Sequence, residues 1–273
     1  FLRGIGEEGL PIFTEEQVQF ANYLSAMLPL VRKHEYVIFG QLLKGVTDLS
    51  RIRECLESEI ENCNKAEIFH ALHYMVGAGY VSVESGTVSL KVKLDEEFAE
   101  YLQDLISYGL TRYVVDFGDT TDFKLWQNYR MDQVQMKFLK NPQHNQLGTY
   151  YYDNKVIIFA SLKKNASIEE RLNYKDKFLE PALFQWESVV DVSPEDVRKQ
   201  INSECAYLFI RKVSMENGIV LPFTYVGKGK MTNPRRQEKF DSTKGRKTVT
   251  YLYDIVMENA LPDYLQYDFG LIK

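Results

Sequence analysis

Phe184-Gln185-Trp186-Glu187-Ser188 is the densest group of chemically able side chains in this 273-residue sequence, and it holds one of only two tryptophans. In extended backbone successive side chains point to opposite faces. Phe184, Trp186 and Ser188 would then share one face, and Gln185 and Glu187 the other. An aromatic wall beside a carboxylate can hold a planar, hydrogen-bonding ligand such as a nucleobase. An ordinary strand of a small β-domain carries the same pattern with its aromatics in the core. Phe184 reads as core, and Trp186 as core or wall. About forty residues later, Lys228, Lys230, Arg235, Arg236, Lys239, Lys244, Arg246 and Lys247 fall within twenty positions, opposed by Glu238 and Asp241 alone. That stretch reads as a long polar loop, either a clamp for an anionic partner or a solvated loop.

Other chemistries lack their residues. There is no Gly-x-x-x-x-Gly-Lys-Ser/Thr phosphate loop, no Gly-x-Ser-x-Gly elbow and no Cys/His zinc set. His144 is followed by Asn145-Gln146, not by the His-x-Lys of a phospholipase-D-type nuclease. Asp116, Asp119 and Asp122 are spaced i, i+3, i+6 without the following Glu of a calcium loop. Glu169-Glu170 is an adjacent acidic pair. His70 and His73 share a helix three positions apart. With no nearby Cys or acidic third ligand they read as core or surface histidines. Cys55, Cys63 and Cys205 are odd in number and lack metal-ligand spacing, as expected of free thiols in a reducing cytoplasm. No apolar run suits a bilayer, so no membrane partner is expected. The chain begins at Phe1 without a secretory signal and is expected to be a fragment of a larger protein.

Net charge divides the chain. Residues 1–105 carry 9 basic against 17 acidic side chains, a balance of −8, and residues 106–273 carry 24 against 21, a balance of +3. Periodicity divides it too. Thr14-Glu15-Glu16-Gln17 opens a helix with a capping box, and Pro29 should kink or end it. Helices follow at Tyr36–Leu43, from Asp48 through Leu56, and from Asn64 to Gly77. Tyr80–Glu84 and Thr87–Lys93 flank a Ser85-Gly86 turn as a hairpin, and Asp95–Leu110 is helical. Helices followed by a two-stranded wing suggest a winged-helix-like domain over 1–109. The helix before the wing carries no Lys or Arg beyond Lys65, which favours a protein-contact or spacer role over DNA binding. From 110 to 273 the pattern is of short strands. Thr111–Phe117 is β-rich, Phe123–Tyr129 is mixed, Gln133–Leu139 is helical or extended, and Gly148–Asp153 and Lys155–Lys163 form a hairpin. Ser167–Tyr174 reads as helical, Leu183–Val190 as a strand, and Ser193-Pro194-Glu195-Asp196 as a helix start. Ala206–Val213, Phe223–Gly227 and Thr248–Met257 are strands. Six or more antiparallel strands with a few helices give an α+β fold with a curved β-sheet or barrel.

Several pieces of the second half, in order, resemble a known family: Ile157-Ile158-Phe159-Ala160-Ser161-Leu162-Lys163-Lys164, Tyr174-Lys175-Asp176, Phe184–Ser188 with Ser193-Pro194, Leu208-Phe209-Ile210-Arg211, and Phe223-Thr224-Tyr225-Val226-Gly227. They are similar to the C-terminal target-recognition region of SauUSI-type ATP-dependent, modification-dependent (type IV) restriction enzymes. The family usually has Gln where this chain has Glu187. Arg32-Lys33-His34-Glu35 resembles the segment between motor and C-terminal domain of the same proteins. The resemblance implies an SRA-like (PUA-like) domain that reads 5-methylcytosine or 5-hydroxymethylcytosine in double-stranded DNA. It implies no catalysis and no cofactor in this chain. ATP, Mg and cleavage would belong to helicase and nuclease domains of the same polypeptide.

A flipped base can be read on its whole Watson–Crick edge together with its methyl group. On that reading Trp186 and Tyr225 are the first-choice walls. Phe223 and the Tyr150–Tyr152 run, Tyr152 in particular, supply further aromatic surface, and Asp153, Asp176 or Glu187 accepts from the cytosine amino group, with Ser188 alongside. The basic loop, with Lys163 and Lys164, would hold phosphates, and Arg235 or Arg236 would enter a groove or fill the vacated stack. A regulatory protein-interaction module of a helicase and an RNA-binding PUA-like module are the alternatives.

Overall fold

A computed structural model describes residues 13–117, 122–139, 148–163, 174–241 and 245–272. The chain forms two units, one of residues 1–122 with 135–141 and one of 123–134 with 142–273.

The first unit begins with helix α1 (Glu15–Ala26). Its capping box is formed as read from sequence, with Thr14 and Gln17 exchanging side-chain and backbone bonds. Helix α2 (His34–Leu43) starts two residues earlier than its apolar pattern suggested, and its residues from His34 through Leu42 are all buried. Helix α3 (Leu49–Glu59) is capped by Asp48 and α4 (Lys65–Gly77) by Asn64. Strands β1 (Val81–Glu84) and β2 (Thr87–Leu90) pair across Ser85-Gly86, both at positive φ, as a tight hairpin requires. The hairpin is tied to the start of α3 by Leu49 N–H to Gly86 O at 2.9 Å and Val88 N–H to Thr47 O at 2.7 Å. Helices and wing thus follow in the order expected.

Helix α5 (Glu96–Phe117) corrects the sequence reading, which made Thr111–Phe117 strand-like and broke the chain at 109/110. The apolar stripe of Phe98, Leu102 and Ile106 continues through Leu110 and Tyr113, so packing overrides the β-propensity of Tyr113-Val114-Val115. A Cβ at Gly109 would collide with the Tyr36 ring, so the residue is small where α5 meets α2. His70 is buried with Nδ1 2.9 Å from the Arg32 guanidinium, while the His73 ring stacks beside Phe69. Arg32 and Glu35 form a buried pair, and Arg32 also donates to Met136 O at 3.0 Å. Burial pushes the Glu35 carboxyl up, but Arg32 outweighs it and holds the group below its ordinary value.

The second unit opens with β3 (Asn128–Tyr129) and the first residues of α6 (Met131–Lys137), whose last three residues belong to the first unit. Strands β4 (Thr149–Tyr152), β5 (Lys155–Ser161), β6 (Lys177–Glu180) and β7 (Leu183–Glu187) precede α7 (Pro194–Ile201). Then come β8 (Cys205–Arg211), a small hairpin of β9 (Met215–Glu216) and β10 (Ile219–Val220), β11 (Phe223–Asp241), β12 (Arg246–Met257) and α8 (Asp263–Asp268). The main sheet runs β4-β5-β8-β11-β12-β7-β6, with β3 on β11. Among the described residues this path does not close, and the strands form an open mixed sheet and not a closed barrel. It is also not purely antiparallel, because β5 and β8 pair in parallel from Lys155–Cys205 to Ser161–Arg211. One face packs Val156, Ile158, Phe184, Leu208, Tyr253 and Ile255 into a core.

The basic stretch is not a loop. It is the far half of β11 and the start of β12, in register from Arg235–Leu252 to Asp241–Arg246. A bulge between Thr232 and Arg235 takes up Pro234, which could not donate to the ladder. Gly229 is required by close approach, since a Cβ there would stand 2.7 Å from Ile255 Cγ2. Positions 167–173 of the expected Ser167–Tyr174 helix lie outside the described residues, as do Asp119, His144 and Glu169-Glu170. Among the described residues no helix is long and apolar enough to cross a membrane.

The Arg32–Glu35 pair generates a test. Glu35→Ala strands a buried guanidinium and should cost about 3–5 kcal/mol in urea unfolding of the whole chain. Glu16→Ala, on the exposed side of α1, should stay within about 0.5 kcal/mol.

Candidate functional site

In the second unit the ends of several strands converge around a cavity of about 190 Å³. Phe159 and Ser161 come from the end of β5, Arg211 from the end of β8, Phe223 from the start of β11, and Trp186 and Glu187 from β7. Tyr174 and Asp176 come from the segment before β6, and Met131 from the start of α6.

The parallel register sets the cationic side of the cavity. It places Ser161 opposite Arg211, whose Nε donates to Ser161 Oγ at 2.9 Å and whose Nη1 donates to Leu221 O at 2.7 Å. The guanidinium lies 4.1 Å from the centre of the Phe223 ring, and Phe223 meets Phe159 edge-to-face at 4.9 Å. Burial lowers the Arg211 pKa from its ordinary value, yet a guanidinium stays charged at neutral pH.

The acidic side is built around Glu187, which is 2% exposed. Its Oε1 accepts from Thr250 Oγ1 at 2.6 Å and lies 2.7 Å from Lys239 Nζ. Its Oε2 accepts from Lys175 N–H at 2.8 Å, and its own N–H donates to Asp176 Oδ1 at 2.9 Å. Gln185 Nε2 adds a bond to Lys175 O at 2.8 Å. The Tyr174-Lys175-Asp176 segment is thereby fixed against β7, and Tyr174 sits with Lys239 Nζ 5.4 Å from its ring centre. A cavity with aromatic walls, one guanidinium and two carboxylates can take a small planar group that both donates and accepts hydrogen bonds.

The structure brings Trp186, Phe223, Glu187 and Asp176 together, as the sequence reading proposed, and leaves the other candidates elsewhere. Tyr225 is buried against Phe209 at 5.0 Å and Phe123 at 5.5 Å and does not line the cavity. Asp153 is at the β4–β5 turn, 3.9 Å from Lys155 Nζ, and Tyr152 is the last residue of β4. Ser188 is buried, with Oγ accepting from Tyr251 N–H at 2.9 Å, so it pins β7 to β12. Phe184 is fully buried in the core, as expected. Trp186 does both jobs: it packs 5.7 Å from Tyr253 in the core and lines the cavity. Arg211, Tyr174, Phe159, Ser161 and Met131 were not anticipated as site residues. The signal for Arg211 was a lone charge ending the apolar strand Ala206–Ile210, and Tyr174 stood in the Tyr-Lys-Asp run.

The basic residues are engaged within the unit. Lys239 points inward to Glu187. Arg235 binds Asp254 through two bonds of 2.6 Å, with Asn233 adding a third at 2.7 Å. Lys230 donates to Ser203 O at 2.5 Å, and Lys228 Nζ lies 4.9 Å from the Tyr207 ring centre. Arg236 and Lys247 both pair with Glu238, and Arg246 pairs with Asp191 at 2.6 Å. These last three cations are more than half exposed, and such pairs contribute at most about 1 kcal/mol, so a phosphate can displace the carboxylates. Lys163 is exposed, and Lys164 and Lys244 lie outside the described residues.

A family model described as a domain of unknown function, DUF3427, matches residues 123–269, more than half of the chain. The chain belongs to that family. No curated protein matches it. Solved structures give distant likenesses. MspJI restriction endonuclease in complex with a 27-mer oligonucleotide is 15% identical, at a TM-score of 0.28 over 37% of this chain and 28% of that one. The sulfur-binding and SRA domains of ScoMcrA complexed with phosphorothioated DNA are 7% identical, at 0.34 over 86% and 88%. The type IV phosphorothioation-dependent restriction endonuclease ScoMcrA is 10% identical, at 0.35 over 98% and 61%. This chain therefore spans less than two thirds of the MspJI and whole ScoMcrA chains. At these scores the likenesses establish neither a shared fold nor a shared activity.

The pair of Lys239 with the buried Glu187 generates a second test. Lys239→Met leaves the carboxylate without its cation and should destabilise the chain by about 3 kcal/mol in urea unfolding. Adding Glu187→Gln should recover more than half of that loss, because the amide needs no counter-charge. Equal loss in the single and double variants would show that the pair is not coupled.

Proposed function

We propose that the second unit is the target-recognition module of a modification-dependent restriction enzyme, binding double-stranded DNA that carries 5-methylcytosine or 5-hydroxymethylcytosine. The cavity carries this reading. At about 190 Å³ it is of the size of a protein cavity of roughly 150 Å³ that takes one benzene ring, which suits one planar ring. Its polar groups match a pyrimidine that donates from an amino group and accepts at ring nitrogen and carbonyl oxygen. Asp176 and Glu187 are the acceptors, Arg211 is the donor, and Phe159, Phe223, Tyr174 and Trp186 supply apolar surface for the ring and its methyl.

A base reaches such a cavity only by leaving the stack, and the exposed Arg236, Arg246 and Lys247 at the distal end of β11 and β12 would hold the flanking backbone. The sequence resemblance supports the same reading, and on it cleavage, ATP and Mg would belong to other domains of a SauUSI-type parent.

The test is a gel-shift titration on matched duplexes with and without 5-methylcytosine, with single-stranded RNA as competitor. The modified duplex should bind more tightly and RNA should compete weakly; equal binding of both duplexes, or preferential loss to RNA, would sink the reading. Tyr174→Ala removes one wall at the cavity and should weaken binding to the modified duplex roughly ten- to hundredfold, from about 1–3 kcal/mol of stacking. Salt-sensitive binding to plain duplex should persist in that variant.

A further inference from the structure

Three side chains in the first unit converge: Cys63 and Glu67, four positions apart at the start of one helix, and His34, which helix packing brings to them. His34 is the first residue of α2, Cys63 precedes the Asn64 cap of α4, and Glu67 is the third residue of α4. Cys63 Sγ lies 3.4 Å from His34 Nε2, and His34 Nε2 lies 3.7 Å from Glu67 Oε2. All three donor atoms fall within 4.8 Å of one another.

Bond lengths of about 2.3 Å to sulfur and 2.0–2.2 Å to nitrogen and oxygen, at tetrahedral angles, put neighbouring ligand atoms roughly 3.3–3.6 Å apart. The two distances at His34 Nε2 need only a few tenths of an ångström of adjustment, and the thiol and carboxylate, within 4.8 Å of each other, close on the ion by side-chain rotation. His34 is 4% exposed, and its Nδ1 has no hydrogen-bond partner among the described residues. The orientation of the ring is therefore not set by Nδ1, and the groups that Nε2 faces are the thiol and the carboxylate. Local hydrogen bonding accounts for part of the arrangement, because Glu67 Oε2 also accepts from Asn64 N–H at 3.2 Å in the helix cap. It does not account for a thiol, an imidazole and a carboxylate meeting at one point from two elements.

We infer that His34, Cys63 and Glu67 form a site for a divalent metal of the zinc class. A sulfur-nitrogen-oxygen donor set selects a borderline-soft ion over Mg²⁺ or Ca²⁺. With three protein ligands, a fourth position is left for water or another donor. Binding converts the Cys63 thiol to thiolate as the metal–sulfur bond forms, and its proton goes to solvent. The ion would cross-link the start of α2 to the start of α4.

The test uses the whole chain, stripped with a chelator and titrated with Co²⁺ and then Zn²⁺. One equivalent of Co²⁺ should give visible bands of a tetrahedral site with a thiolate charge-transfer band, which Zn²⁺ should bleach. Zn²⁺ should also raise the thermal midpoint. Cys63→Ser should abolish the charge-transfer band and the thermal shift, and Glu67→Gln should keep the band but weaken uptake. Cys55→Ser and Cys205→Ser should leave all of these unchanged. Absence of the band in the native chain, its survival in Cys63→Ser, or its loss in Cys55→Ser or Cys205→Ser overturns the assignment.

Discussion

The buried carboxylate of Glu187 organises the second unit. A charge at 2% exposure is tolerable only when it is paired and hydrogen-bonded, and each group that satisfies it comes from a different piece of chain. Lys239 is from β11, Thr250 from β12, and Lys175 from the segment before β6. Satisfying one carboxylate therefore joins the long hairpin to β7 and fixes the Tyr174–Asp176 segment at the edge of the cavity. It also explains why a basic, Pro-containing stretch forms regular strand. Along β11 its inward positions Arg235, Gln237 and Lys239 meet Asp254, Lys175 and Glu187, while Arg236, Glu238 and Phe240 face out.

The same constraint bears on the choice of Glu at position 187. With the half-buried Lys239 held against it, a carboxylate neutralises the ammonium, whereas an amide could only accept a bond from it. Glu187 is thus first a structural charge, with its oxygens already occupied by protein donors. Any role toward a ligand is shared with Asp176 and Arg211, which line the same cavity.

Much of this architecture was legible in the sequence because local signals decide it. Capping residues at Thr14, Asp48, Asn64 and Ser193 fixed helix starts, and Ser85-Gly86 fixed a turn. What was not legible depends on long-range pairing. The β-rich Tyr113-Val114-Val115 is helical because Tyr113 extends the stripe of α5. Arg211 reaches the cavity only through a parallel pairing of β5 with β8, across about fifty residues of chain. Tyr225 and Phe223 lie two apart on one strand and share a face, but Tyr225 is covered by Phe123 and Phe209, and only Phe223, at the start of the strand, reaches the cavity. His34 likewise meets Cys63 and Glu67 through helix packing, not through spacing.

The proposed occupant of the cavity among Trp186, Phe223, Tyr174, Asp176 and Arg211 is one modified cytosine. A crystal structure of the chain with a duplex containing a single 5-methylcytosine tests it most directly. The expected result is that base outside the helix, its amino group toward Asp176 or Glu187 and its ring between the aromatic side chains. A bound duplex with every base stacked, and nothing of the DNA in the cavity, would contradict the account.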